Sequence, residues 1–547
     1  MAAMTGTTHR GAIAARMVDT LERRMMRLLP DILQARAADQ PDDCAYVFLD
    51  ERGAEAELLT YSELHFRAMA VAAYLRERCA QGDRVILMIP PGLDFVVAYV
   101  GCLYAHVIAV PVSPPRNHRI HDATRNIIAD CDPAMVLTSL DDVDPDGTLE
   151  PDRCDAASIA FLQYTSGSTS APKGVMVSHG NLAANQEQIQ RAMGHDEEST
   201  FVGWAPLFHD QGLIGNVLQP LHLGATSYLM SPGAFIRRPL LWLSAISKYR
   251  AHSSGGPNFA FDVCVAHAQR RDLSDLDLSS WRVAFNGAEP IRPESLRRFA
   301  ETFAPYGFDA NALYPCYGLA EATLFVSGSR KGRGPRYLDA DRDELGRGHV
   351  VPGQGRTLVG SGVPEADIRI VDPHTRQPSE PHRIGEIWVA GEQVAQGYWN
   401  GRSPDTFADG YLHTGDLGVV IDEELYVVGR VKDLIIIRGR NVYPHDIELT
   451  AQSAHPLVRP GACAAFAISG VDTDRLVVVA EVREERPDIA GAIRAAIIRE
   501  HEVAVADLVL SAPGRLQKTS SGKIMRSAAK KCYLEGGFDV DCEESRV

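Results

Sequence analysis

Tyr164-Thr165-Ser166-Gly167-Ser168-Thr169-Ser170-Ala171-Pro172-Lys173-Gly174 packs five Ser/Thr hydroxyls, two glycines and a lysine into one short run. It follows the strand-like Ser158-Ile159-Ala160-Phe161-Leu162-Gln163 and precedes Val175-Met176-Val177-Ser178-His179. Backbone N–H groups, hydroxyls and one ammonium in a turn can cradle a polyphosphate. No glycine stands directly before the lysine, so the spacing is not that of a Walker A loop. A solvated linker has the same composition, and the run alone leaves both readings open.

A chain of 547 residues is too long for one ordinary core and calls for two or more domains. The apolar share of 45% and charged share of 23% are those of a globular protein. A formal charge of −16 argues against nucleic acid as a partner. Ten cysteines are scattered with no C-x-x-C pair, which argues against structural zinc and a disulfide scaffold and fits a reducing cytoplasm. Phe95–Pro115 carries no formal charge, but Gly101, Pro111, Pro114 and Pro115 break it as a membrane span. A buried helix to about Tyr104 and a strand Val107–Val112 are expected instead, without stable membrane insertion. The first 30 residues are rich in arginine and lack a long apolar core, so no cleavable signal is expected. Thr20–Leu29 reads as an amphipathic helix docked on the body.

Helical and strand-like segments alternate through the first half: a helix from Tyr61 to about Arg78 with Ser62 as N-cap, a strand Arg84–Pro90, then Asp122–Cys131 and Ala134–Thr138. That alternation predicts α/β units on a largely parallel sheet. Further strands are expected at Thr226–Met230, Arg282–Asn286 and Ala312–Pro315. After about Gly360, short strands at Asp367–Val371, Gly385–Ala390 and Glu424–Val428 indicate a β-rich subdomain. A basic connector begins at Gly429-Arg430-Val431-Lys432-Asp433. Beyond it, strands Ala462–Ile468 and Leu476–Val482 and a helix from Ile489 to His501 suggest a small α+β domain.

Other motifs follow the opening loop in order. Trp204-Ala205-Pro206-Leu207-Phe208-His209-Asp210-Gln211-Gly212-Leu213 sets a His-Asp pair among apolar residues. Tyr314-Pro315-Cys316-Tyr317-Gly318-Leu319-Ala320-Glu321-Ala322-Thr323 places an aromatic and a carboxylate after a strand. Tyr411-Leu412-His413-Thr414-Gly415-Asp416-Leu417-Gly418 presents a second carboxylate, followed by Gly429-Arg430, Arg438-Gly439-Arg440-Asn441 and Thr519-Ser520-Ser521-Gly522-Lys523-Ile524. This ordered set resembles the adenylate-forming superfamily of acyl-CoA ligases, luciferases and nonribosomal adenylation domains, from about Leu29 to Lys531. Within it the chain most resembles the fatty acyl-AMP ligases. The wording around His209, Tyr317 and Ile435–Glu448 points there, as does a polar segment at about 331–356 where those ligases carry an insertion that disfavours CoA use.

The resemblance implies an α/β fold: a large N-terminal domain of layered α/β sheets with a β-rich subdomain over 29–429, and a small mobile α+β C-terminal domain over 430–547. Residues 1–28 form an N-terminal extension. It implies that a fatty acid and ATP give an acyl-adenylate and pyrophosphate, after which the acyl group passes to the phosphopantetheine thiol of a stand-alone acyl carrier protein. A fatty carboxylate is ionised at neutral pH, so the step needs alignment and charge neutralisation and no general base. By the same resemblance Glu321 holds Mg²⁺, while Thr165, Ser166, Gly167, Ser168, Thr169 and Lys173 hold the β- and γ-phosphates. Gly287, Ala288, Glu289, Tyr317 and Gly318 form the adenine slot, and Asp416 and Arg430 take the ribose. His209 borders the acyl carboxylate, Gly255, Gly256 and Phe259 wall the acyl tunnel, with Phe259 or Phe261 limiting it. Lys523 bridges carboxylate and α-phosphate, and Lys432 marks the hinge. Two departures stand out: many relatives have Gly where Ser170 stands, and many have Thr where Ala320 stands. An acyl-CoA ligase is the nearest alternative function, and a non-catalytic nucleotide or acyl sensor the next. The 16 residues after Lys531 are too few for a carrier domain, so the carrier is expected on another chain.

Overall fold

The computed structural model describes residues 28–115, 120, 122–165, 172–269, 272–470, 474–519 and 522–538. The reading of Thr20–Leu29 as a docked helix falls almost wholly outside them. Among the described residues the chain forms two sheets with helices between them, an antiparallel β-rich sheet, and a smaller α+β unit at the end. The largest sheet has nine strands, running from Val363–Pro364 through Phe325–Gly328, Leu313–Gly318, Val283–Asn286, Ser253–Gly256, Phe201–Gly203, Ser227–Met230 and Cys44–Leu49 to Glu55–Thr60. Its six central strands are parallel, as the alternating pattern requires. A five-stranded sheet orders Met135–Leu137, Arg84–Leu87, Ile108–Pro111, Ile159–Thr165 and Lys173–Ser178, parallel except for the last pair.

The uncharged stretch from Phe95 is a buried helix, Leu93–Tyr104, followed by the strand Ile108–Pro111. Its side chains Val96, Val97, Tyr99, Val100 and Leu103 fill the core between the two sheets. No described helix is long and apolar enough to cross a membrane. The helix Tyr61–Arg76 is capped two residues earlier than the sequence suggested. Thr60 accepts from Glu63 N–H and Glu63 reaches back in a capping box, whereas the Ser62 hydroxyl donates to Pro41 O at 2.8 Å.

The β-rich part is an antiparallel sheet of Asp367–Val371, Gly385–Ala390, Tyr411–Ile421, Phe407–Ala408 and Glu424–Arg430. The polar segment at about 331–356 is ordered. Tyr337–Asp341 pairs with Gly355–Val359 around a short helix, Arg342–Gly346. Its apolar residues Ala340, Leu345, Val350 and Leu358 pack on Leu417, Val419, Tyr426 and Val428 of the β-rich sheet and on Tyr443. The terminal unit has three strands, Val458–Ile468, Arg475–Val482 and Val505–Ser511, and the helices Pro444–Ser453, Pro487–His501 and Arg526–Leu534. Alternate side chains of its central strand serve two cores, one with Ile447, Ile493 and Ile497, the other with Leu516 and Ala529.

His179 opens the helix His179–Met193 at 4% exposure, and burial pushes its pKa down to about 4. A depressed histidine pKa leaves both folded and unfolded chains neutral above about pH 6.5. Between there and about pH 4 the unfolded chain takes the proton first, so stability falls. His179→Leu is expected to recover up to about 3 kcal/mol of the loss at pH 4, checked by denaturant melts at pH 7 and 4.

Candidate active site

The hairpin that carries the opening loop is anchored where the ladder reaches its tip: Thr165 pairs with Lys173 across the strands Ile159–Thr165 and Lys173–Ser178. Ser166, Gly167, Ser168, Thr169 and Ser170 lie outside the described residues. The Lys173 ammonium donates to Ser403 Oγ at 2.7 Å and sits 4.9 Å from the Tyr398 ring centroid. Tyr398 in turn donates its hydroxyl to Glu321 Oε1 at 2.6 Å. One chain of contacts therefore joins this hairpin to the carboxylate of the next motif. A cavity of about 390 Å³, lined by Met176, Tyr398, Trp399, Arg402 and Phe407, lies on the flank of this chain.

Glu321 sits in a 3-10 turn, Ala320–Ala322, after the strand Leu313–Gly318. The chain doubles back so tightly that a Cβ on Gly318 would stand 1.7 Å from Leu324 O, a position only glycine can occupy. Tyr317 donates its hydroxyl to Asp416 Oδ2 at 2.8 Å, and Arg430 Nε stands 2.8 Å from Asp416 Oδ1. Asp416 and Arg430 are cross-strand partners in the β-rich sheet, so the ladder itself sets their meeting. Asp416 is buried, and half the Arg430 side chain is open to solvent.

Lys523 enters from the terminal unit. Its side chain faces open space, yet protein closes around it enough that lost hydration lowers its pKa, with the Arg430 charge adding to the effect. Asp210, Glu289 and Asp416 oppose that shift. His209 is half-buried in the same cleft, and burial, then the Lys523 charge, holds its pKa at about 4. It is therefore a neutral imidazole at physiological pH. Burial raises the Asp210 carboxyl pKa, while the Gln211 N–H at 2.7 Å and Lys523 lower it. Asp210 opens a π-helix, Gln211–Leu218, a rare geometry that recurs at functional sites. Burial also raises the Glu289 pKa, and Glu289 Oε1 accepts from Phe259 N–H at 2.7 Å.

The structure thus gathers Lys523, His209, Glu289, Asp416, Arg430 and Tyr317 about one cleft, with Glu321 and Lys173 linked through Tyr398. Gly287 lies against Cys316 of the neighbouring strand, and the exposed Ala288 adopts a φ of 67°. The residues expected to wall the acyl tunnel have these surroundings. A Cβ on Gly255 would meet Phe285 O at 2.0 Å, and one on Gly256 the Trp204 ring at 2.6 Å, so these glycines make room for protein. Phe261 is buried in the aromatic core with Trp242, Trp281 and Phe299. Phe259 is half-buried, edge-on to Trp204, which stacks on Phe235. Tyr398 is the residue the sequence did not mark, because its role depends on a hydrogen bond across 77 positions.

The AMP-binding enzyme family matches residues 33–150 and 139–399, and residues 432–542 match the family described as Disco-interacting protein 2-like, AMP domain. The medium-chain-fatty-acid–[acyl-carrier-protein] ligase JamA of Moorena producens is 40% identical, over 93% of this chain and 96% of that protein. The long-chain-fatty-acid–AMP ligase FadD26 of Mycobacterium marinum is 36% identical, over 94% and 98%. The fatty acyl-adenylate ligase of Legionella pneumophila, solved with acyl adenylate and pyrophosphate, is 38% identical with a TM-score of 0.73, over 94% of this chain and 97% of that one.

Proposed function

Because the chain belongs to the AMP-binding enzymes, and within them to the fatty acyl-AMP ligases, we propose that it joins a fatty acid to AMP and hands the acyl group to an acyl carrier protein. One observation carries the first step: a lysine from the terminal unit shares a cleft with the Asp416–Arg430 pair and a neutral His209. The fatty carboxylate attacks the α-phosphorus of ATP and the bond to pyrophosphate breaks, with no proton to be moved. Two anions must meet, so the Lys523 ammonium lies between carboxylate and α-phosphate and takes up the charge that develops. Neutral His209 adds no charge and borders the carboxylate. Asp416 accepts the ribose hydroxyls while Tyr317 and Arg430 hold it in place.

Glu321 suits Mg²⁺, which takes one or two carboxylates and fills its shell with phosphate oxygens and water. Among the described residues no group of three or more His, Cys, Asp or Glu could hold a metal ion by itself. Glu321 would hold Mg²⁺, which would supply neutralisation of phosphate charge, with Lys173 as a second cation nearby.

The hinge reading has a mechanical basis. Arg430 is strand-paired to Asp416, whereas Asp433 is bonded to Arg526, which also grips Glu448 with two hydrogen bonds of 2.7 Å. Rotation of the terminal unit must then be absorbed at Val431 and Lys432, between the two anchors. The 331–356 segment braces the unit from outside: Arg356 Nη1 lies 3.2 Å from Asp446 Oδ2 and Arg440 Nη2 3.3 Å from Asp343 Oδ1. That brace ties the segment to the terminal unit and restrains how freely the unit turns. Cytoplasmic placement follows from these substrates.

The test is a comparison of thioester products from one chain-length series of fatty acids with CoA or a phosphopantetheinylated carrier. Acyl-carrier is expected to form at least about a hundredfold faster, a difference near 3 kcal/mol. Comparable acyl-CoA formation overturns the proposal.

A further inference from the structure

The helix His179–Met193 buries a stripe of amides where a core-facing helix ordinarily carries leucine. Asn181, Asn185 and Gln188 stand at i, i+4 and i+7, and none is more than 8% exposed. Buried amides are tolerated only with partners, and these find theirs on the two segments that flank Glu321. Asn185 clamps Phe325 both ways, Nδ2 donating to its carbonyl at 2.9 Å and Oδ1 accepting from its N–H at 3.1 Å. Asn181 Nδ2 donates to Glu392 O and Val394 O at 2.6 and 2.8 Å. Gln188 Nε2 donates to Gln393 Oε1 at 3.1 Å.

Between these two clamped segments sits a strained residue. Thr323, fully buried, has φ 66° and ψ −65°, a γ-turn conformation costly for a β-branched side chain, and Leu324 N–H closes the turn on Ala322 O at 2.8 Å. Its hydroxyl donates to Gln393 O at 2.7 Å, and Ala395 N–H donates to Glu321 O at 2.9 Å. The strained turn is thus pinned to the same 392–395 segment that the amide stripe holds. Strain persists only where surroundings over-determine it.

We infer that Asn185 and Thr323 are positioning residues that hold the Glu321 carboxylate toward the metal–nucleotide complex, which rests on the proposed role of Glu321 there. Neither touches substrate. They act through the turn, which a relaxed chain would leave.

Carboxylate-dependent ATP–pyrophosphate exchange, titrated with Mg²⁺ and followed alongside thermal melts, tests this. Thr323→Val keeps the shape and loses the hydroxyl. It is expected to raise the Mg²⁺ concentration for half-maximal rate about tenfold, the loss of one buried hydrogen bond. The rate at saturating Mg²⁺ stays near that of the parent, and Thr323→Ser restores the parent titration. Asn185→Leu shifts the titration in the same direction. A merely structural role would lower the melting midpoint and scale the rate without moving the Mg²⁺ midpoint. Folded Thr323→Val with an unchanged Mg²⁺ midpoint overturns the inference. Glu321→Gln separates the two readings: if it leaves the Mg²⁺ midpoint unchanged, the role of Glu321 itself fails.

Discussion

Replacing Lys523 with alanine is expected to slow acyl-adenylate formation by about a hundred- to a thousandfold, the effect of removing one preorganised donor aimed at developing charge. The folded protein does not suffer the same loss. Lost hydration and the Arg430 charge both lower the Lys523 pKa, so the ammonium is held in a place that disfavours it. A group whose charged form is less stable in the fold than in the open chain subtracts from stability wherever it stays protonated. The thermal midpoint of Lys523→Ala should therefore hold or rise while the chemistry collapses. Single-turnover pyrophosphate release, read beside a melting curve, checks both halves. Retention of near-parent rates removes Lys523 from the reaction, and a lowered midpoint shows that the side chain supports the fold instead.

Much of the scaffold could be read from periodicity, and the reasons differ by region. The buried helix Leu93–Tyr104 and the strands Ser227–Met230 and Val283–Asn286 follow from apolar runs broken by Gly and Pro, because burial on both faces leaves no alternation to misread. The strand Val505–Ser511 escaped notice, since its partner Arg475–Val482 is distant and its own residues are half exposed. Thr60, and not Ser62, is the cap; the two hydroxyls are two residues apart, and only the hydrogen-bond pattern distinguishes them.

The site was legible as separate motifs, each local in sequence. What joins them is not local. Tyr398 reaches Glu321, Lys173 reaches Ser403, and Tyr317 reaches Asp416 across long stretches of chain, and no spacing rule encodes such contacts. Gly255 and Gly256 lie in a strand, where a glycine marks a close approach of protein, and Phe285 and Trp204 stand against them. Asn181, Asn185 and Gln188 carry no motif that would single them out in the sequence. Only their burial reveals a scaffold for the Glu321 turn.

Asp416→Asn should move the pH profile as well as the rate. The substitution keeps an oxygen for the Tyr317 hydroxyl but removes the charge that faces Arg430 at 2.8 Å and that raises the Lys523 pKa. Weakening two charge-assisted contacts, to Arg430 and to a ribose hydroxyl, is expected to lower kcat/KM about a hundredfold. The sign of the pH shift follows from the charges. In the proposed reaction Lys523 acts as the ammonium, so activity fails as pH rises through its pKa. Taking away a nearby anion makes the ammonium less favourable, lowers that pKa, and brings the alkaline limb to lower pH. Because kcat/KM reports the free enzyme, bound nucleotide does not mask the change. The fatty carboxylate and the nucleotide phosphates are already ionised there and contribute no limb. Profiles of kcat/KM for parent, Asp416→Asn and Lys523→Arg supply the comparison. The arginine variant stays charged through this range and should lose the limb altogether. A limb that persists in Lys523→Arg belongs to another group, and an unmoved limb in Asp416→Asn removes the electrostatic tie between the β-rich sheet and the lysine of the terminal unit.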